Sequence, residues 1–505
     1  MTPLIPAYLD LIVFDIGGTL VHEGPPTAAV ADLVARPIGD AVAELATLAA
    51  QVKLAAATDT AVMTETQVRE LLEPVGLASL LPVVVTSVDA GAAKPDPASL
   101  RLAMERSKVD DVSRVLFVGN TERDAGAAAA VGCHYAMVDG TGENGPGGVV
   151  DQWLAERVGV AFRGAAASVV EPDETTREEA RARHDQLTKP QGSLGRLEQL
   201  GVDLAAMTGD VRPPDPFPAC VAVFAGDHGV LEAGVSPWPQ EVTTAMVATF
   251  ANGSAAVNAI AGSAGIDVVV VDVGVALEPV EHPRVWNRRV AAGTADLSRG
   301  PAMTRTQALA ALDVGVSTAT RLVEAGNRCL IGGDMGIGNT TPSAALITAL
   351  TGGDARVLTG RGTGIDDATL SLKAGIVADA VGRVDGLEPL DVLAEIGGLE
   401  VAALAGFLIG GAAGRVPVIV DGVIALAAAT VADALCPQAR AWWIAGHRST
   451  EPAASAALEH LGLDPVLDLE LRLGEGTGAA LAYPVVRAAA TVLREMATMA
   501  EIGIA

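Results

Sequence analysis

With 505 residues, half of them apolar, the chain is too long for one ordinary core and long enough for at least two. Aromatics make up only 3%, so Ala, Val, Leu and Gly must fill the interiors, as suits helices laid closely on parallel strands. Lys and Arg number 34 against 61 Asp and Glu; the formal net charge of −27 excludes a nucleic-acid binder and leaves an anionic substrate to local cations and backbone amides.

In chain order, short β-branched runs at Leu11–Phe14, Val52–Ala57, Leu81–Ser87, Arg114–Gly119 and Tyr135–Asp139 alternate with helical stretches. That alternation predicts a small doubly wound parallel sheet over residues 1–163. Residues 164–179 read as a linker, small and then charged, leading into a polar helix. A second βα series covers 168–505, with runs at Ala219–Phe224, Ile266–Val275, Cys329–Gly333, Val416–Val420 and Ala441–Ala445. The polar residues that end these runs should converge on the carboxyl edge of a second parallel sheet, where ligands bind. Cys133, Cys220, Cys329 and Cys436 are scattered without a CxxC pair, so they suggest neither zinc nor disulfides. The start of the chain lacks the pattern of a signal peptide, and the apolar stretch Val401–Gly414 is too short and glycine-rich to span a bilayer. A cytoplasmic location without membrane or nucleic-acid partners is expected.

Four motifs in the first domain carry chemistry. FDIGGTLV places Asp15 after a strand, LAAATDT supplies Thr58, AAKPDP supplies Lys94, and LFVGNTERDAGAA supplies Asp124. Together they resemble the haloacid dehalogenase superfamily. The resemblance implies Asp15 as nucleophile on phosphorus, Thr58 and Lys94 on the phosphoryl group, and magnesium held by Asp15 and Asp124. Gly17 stands where phosphatases of that superfamily carry a second Asp as general acid, and Asn120 replaces a common metal-binding Asp. The stretch from Leu20 to the strand near Val52 is short for a cap, which would leave the site open.

The second domain is richer in signal. In GGDMGIGNTTP (Gly332–Pro342) a buried strand meets a glycine-rich turn, with Asn339, Thr340 and Thr341 where a helix should begin. Glycines let backbone approach an anion, and a helix N-terminus offers free N–H groups and a positive dipole end. Two further loops of this kind follow, TGRGTGIDD (Thr359–Asp367, with Arg361 and then Lys373) and RLGEGTG (Arg472–Gly478). Three such loops suit a sugar phosphate better than three unrelated turns. With LTKPQGSLGRLE, AGDHGVLEAGVSPWPQEVT, VPVIVDG, GHRSTEPA and LRLGEGTGAA, they resemble the nicotinate-nucleotide–dimethylbenzimidazole phosphoribosyltransferases.

That resemblance implies a Rossmann-like sheet with a small helical subdomain built from both ends of the domain, and a homodimer. It implies transfer of phosphoribose from nicotinate mononucleotide to 5,6-dimethylbenzimidazole or a related base, a step of cobamide lower-ligand synthesis. No cofactor is expected for the transfer. Glu475 falls on the family's catalytic base. Substrate contacts are expected at Asp334, Gly336, Gly338, Asn339, Thr340, Gly360, Gly362, Lys373, Ser449 and Arg472, with Asp227 and His228 beside the base pocket, His228 having the alternative of a satisfied structural histidine. The family usually has Glu at Asp334 and often Gln at Ala245, and the latter change could relax the choice of base. Fusion of the two domains suggests that the first removes the 5′-phosphate of the product, against the alternative of a degenerate scaffold. A different reading makes the chain a small-molecule phosphatase with a nucleotide-binding C-terminal domain.

Overall fold

The computed structural model describes residues 4–22, 33–138 and 145–504. Asp139, at the end of the fifth predicted run, lies outside them, as does part of the stretch read as too short for a cap. The chain divides into two compact units between Arg157 and Val158.

The first unit contains β1 (Leu11–Phe14), β2 (Lys53–Thr58), β3 (Val83–Thr86), β4 (Val115–Gly119) and β5 (His134–Met137) in the all-parallel order β3-β2-β1-β4-β5. Alternation along β1 supplies both faces. Ile12 and Phe14 join one core with Leu45, Leu54 and Trp153, while Leu11 and Val13 join another with Leu100 and Phe117. The order reverses between β1 and β4, so the crevice at their carboxyl ends is the expected ligand site.

The second unit contains β6 (Ala219–Gly226), β7 (Asp267–Gly274), β8 (Val285–Asn287), β9 (Cys329–Met335), β10 (Val418–Val420) and β11 (Trp443–Ala445) in the parallel order β11-β10-β9-β6-β7-β8. Its order reverses between β6 and β9. The helices Arg305–Glu324 and Leu399–Ala413 cross at glycines: a Cβ at Gly315 would overlap the Ala403 carbonyl, and one at Gly406 the Leu312 carbonyl. Close backbone approach thus fills the interior that aromatics do not. The stretch read as too short to span a bilayer, up to its last residue, lies in the second of these helices, which is buried from Leu399 to Ala412, and no helix among the described residues is long and apolar enough to cross a membrane.

The helices Glu174–Gln186, Arg196–Thr208 and Thr477–Glu495 form the helical subdomain from both ends of the unit, sharing Ala180, Val202, Ala205 and Leu493. Residues 164–179 depart from the expected linker. Residues 164–168 end a helix, Val160–Ser168, whose N-terminal amides Gly159 and Phe162 donate to Asp313 at 2.6 and 2.7 Å. Only the short stretch 169–173 is non-helical before the next helix. Phe162 and Ala165 are the residues this helix buries, while Gly164, Ala167 and Ser168 stay exposed on it.

Candidate functional site

A cleft of about 340 Å³ opens at the carboxyl ends of β9 and β10, beside the reversal in strand order. The three glycine-rich loops all line it. At the end of β9, Gly333 leaves room for the carbonyl of Glu475, and Gly336 leaves room for that of Gly226. The next side chain after Gly333, Asp334, is 5% exposed and accepts from Asn339 Nδ2 at 3.1 Å. Burial pushes its carboxyl well above the usual carboxylate range, and the charges of Asp421, Glu400 and Glu475 push the same way.

The helix Thr340–Thr351 starts at the cleft, with Asn339 at its N-cap. Lys373 is buried behind it and donates to Thr340 Oγ1 at 2.7 Å and to the Gly360 carbonyl at 3.1 Å. Burial lowers the ammonium to about 8, with Glu451 opposing. Glu451 accepts from the Gly362 amide at 2.9 Å, and Arg472 donates to the Gly362 carbonyl at 3.1 Å. The second loop is thereby tied to the chain after β11 and to the third loop. The result is a cationic cradle at a helix N-terminus, suited to a phosphate.

The third loop also brings Glu475 to the cleft. Gly474, Glu475 and Gly476 hold φ of +85°, +65° and +87°, a left-handed run in which Glu475 is the only side chain. Such a conformation costs a non-glycine residue about 1–2 kcal/mol and is retained where it aims a functional group. The Glu475 carboxylate is 6% exposed and accepts from the Val257 amide at a long 3.4 Å. Burial raises its pKa, and Asp421 raises it further. Trp238, Val242, Met246, Ile424 and Leu473 supply an apolar wall fit for a flat base.

Of the residues expected from sequence, Asp334, Gly336, Asn339, Thr340, Gly362, Ser449, Arg472 and Glu475 line this cleft. Gly338 and Gly360 shape its loops from behind, and Lys373 reaches it through Thr340. Asp227 and His228 stand off the lining. Asp227 accepts from the Ala276 amide at 2.8 Å, and His228 Nε2 lies 2.8 Å from Glu400 Oε1 with both side chains fully buried. Burial opposes charge on His228, but the Glu400 carboxylate prevails and raises its pKa. That pair reads as structural. Ala245 is exposed and off the lining, whereas Met246 faces the cleft. Sequence reasoning singled out neither Glu451 nor His447, which line the cleft, nor Asp421 and Glu400 behind it. The polar ends of the runs before Asp421 and His447 were the available signal.

In the first unit, Asp15 and Thr58 come from the carboxyl ends of β1 and β2 and Asp124 from the first turn of the helix after β4, and Lys94 Nζ lies 2.5 Å from both Asp15 and Asp124. Burial, with Asp124 adding to it and Lys94 opposing, raises the Asp15 carboxyl to about 6. Asn120 packs on Gly18, where any Cβ would overlap its amide. Two converging carboxylates fit magnesium, which takes one or two with water and phosphate oxygens completing its shell. No third His, Cys, Asp or Glu joins them among the described residues.

Residues 169–504 match the phosphoribosyltransferase family, and residues 27–138 match the haloacid dehalogenase-like hydrolases. The second match begins after Asp15. The nicotinate-nucleotide–dimethylbenzimidazole phosphoribosyltransferase of Salinispora tropica is 52% identical over 335 residues, 63% of this chain and 92% of that one. Its counterpart from Mycobacterium avium is 49% identical over 340 residues, 67% of this chain and 97% of that one. The crystal structure of the enzyme of that name from Thermus thermophilus aligns with a TM-score of 0.64 at 46% identity, covering 66% of this chain and 99% of that one.

Proposed function

The chain belongs to the phosphoribosyltransferase family across residues 169–504, and on that premise we propose that this unit transfers phosphoribose from nicotinate mononucleotide to 5,6-dimethylbenzimidazole or a related base. One benzimidazole nitrogen attacks the anomeric carbon while Glu475 takes the proton from the other. The bond to nicotinate breaks with its electron pair returning to the pyridine nitrogen, so the leaving group needs no acid. The products are α-ribazole 5′-phosphate and nicotinate. The observation that carries this reading is Glu475: a buried carboxylate held by left-handed backbone, lining one cleft with an apolar wall and a phosphate cradle. A carboxylate so desolvated is a stronger base than one in water. Lys373 through Thr340, with Arg472, would seat the phosphate and present one face of the ribose to the base.

The reading includes a cytoplasmic homodimer, which sedimentation would check, and a transfer step indifferent to chelators. For the first unit, the hydrolase match and the convergence of Asp15, Lys94 and Asp124 favour phosphoryl chemistry. Asp15 would attack the 5′-phosphate of the transferase product and expel the ribose alcohol, and water would then hydrolyse the phosphorylated Asp15 to release inorganic phosphate; Lys94 and Thr58 would contact the phosphoryl oxygens, and magnesium held by Asp15 and Asp124 would offset their charge. Gly17 supplies no proton to the departing alcohol, which typically costs about 10² to 10⁴ in rate.

Chromatography of the protein incubated with nicotinate mononucleotide, dimethylbenzimidazole and magnesium tests both units. Base-dependent nicotinate release that Glu475→Ala abolishes supports the transferase. Conversion of the product to α-ribazole that Asp15→Asn stops supports the hydrolase; its absence leaves the first unit a scaffold. No nicotinate release from the wild type with any base tried overturns the transferase reading.

A further inference from the structure

The segment Gly446–Glu451 brings to the cleft a histidine with no role in the reaction as derived above. The His447 ring is 1% exposed and wedged between two glycines: a Cβ at Gly478 would overlap it, and one at Gly422 would lie 3.4 Å from Nε2. Nε2 lies 3.4 Å from Asp421 Oδ1, an ion pair longer than a good hydrogen bond. Asp421 in turn accepts from the amides of Gly476 at 3.1 Å and Ala479 at 2.8 Å. It thus caps the helix Thr477–Glu495, whose first residue lies two beyond Glu475.

We propose that His447 is a positioning residue for Glu475: paired with Asp421, it fixes the carboxylate that caps the helix behind the base and offsets that carboxylate's charge on the base. The proposal rests on the transferase reading. It follows from where the charges lie. Asp421 and Asp468 act on the imidazole by their charge, and the backbone of Arg448 also favours its charged form. The charge of Asp421 also acts on Glu475 and on Asp334 across the cleft. Burial disfavours a charged imidazole, but Asp421 outweighs it and holds the His447 pKa above its usual value. A charged His447 therefore balances Asp421. A neutral side chain there exposes Glu475 to the full negative field, which would keep the base protonated to higher pH.

The test is the pH profile of kcat/KM for nicotinate release by wild type, His447→Gln, Asp421→Asn and the double variant. The inference expects His447→Gln to move the acid limb up by about 0.5–1 unit, with kcat on the plateau reduced less than about threefold. Asp421→Asn should move the limb down, and adding His447→Gln to it should move it no further. A uniform loss at every pH, with the limb in place, would show a merely structural histidine and overturn the inference alone. Absence of wild-type nicotinate release overturns the transferase reading and this inference with it. Histidine NMR on the full-length wild type is independent of whether the variants fold. With seven histidines to assign, a His447 ring that is neutral at pH 7 overturns the inference.

Discussion

At the residue scale, the site works by placing ionisable groups where water cannot level them. Lys373 is the clearest case. Burial lowers its ammonium to about 8, so the phosphate cradle loses its lysine charge as pH rises through that value and keeps that of Arg472. The KM for nicotinate mononucleotide should climb above pH 8 with kcat moving less. Lys373→Ala should raise KM about 10- to 100-fold at pH 7, the roughly 1.5–3 kcal/mol of a hydrogen bond to a charged group; steady-state kinetics from pH 6 to 9.5 would check both. Asp334 shows the cost of such crowding. Its folded pKa lies well above the unfolded value, so its contribution to stability is present at low pH and lost as pH rises through the folded value. Asp334→Asn should therefore stabilise the protein at pH 8 and hardly at pH 3, below the unfolded carboxyl's pKa, with activity reduced. Urea midpoints at the two pH values would measure it, and an equal gain at both would refute the assignment.

At the scale of elements, the strands are readable in the sequence and their partners across the fold are not. β1 coincides with its predicted run, and β2, β4, β6, β9 and β11 differ by a few residues at their ends. Buried parallel strands write themselves as β-branched runs. β8 carries no such signature because it is three residues long and half-buried at the sheet edge. The helix Val160–Ser168 reads in part as a linker because Gly164, Ala167 and Ser168 sit on its exposed face, where small residues have the composition of a loop. Glu475 and the glycine loops are legible as motifs. His447, Asp421 and Glu400 act through partners 26 to 172 residues away, which only the sheet order brings together. The same packing logic predicts the weakest point of the interior. A leucine at Gly406 would drive its Cβ into the Leu312 carbonyl of the crossing helix, where backbone cannot give way. Gly406→Leu should cost about 3 kcal/mol or more in chemical unfolding, the upper end of overpacking, whereas a leucine at Gly375, which meets nothing within 4 Å, should cost far less.

At the scale of the molecule, the unit boundary and the family match disagree in a useful way. The transferase family is matched from residue 169, but the compact unit begins at Val158, because the helix Val160–Ser168 is capped by Asp313 and buries Phe162 and Ala165. A chain of residues 158–505 should keep base-dependent nicotinate release. One of residues 169–505 should melt several degrees lower, since burial of a phenylalanine alone is worth about 2–3 kcal/mol. Equal melting temperatures would show that the helix adds nothing. The scarcity of aromatics has an optical consequence. Of the five tryptophans, Trp153, Trp442 and Trp443 are buried and Trp286 is partly so, whereas Trp238 is half exposed on the wall where the base would lie. Emission excited at 295 nm therefore carries one solvent-sensitive fluorophore set in the cleft itself. Seating a benzimidazole against it should shift and quench that light, so occupancy of the base site could be followed without label or turnover.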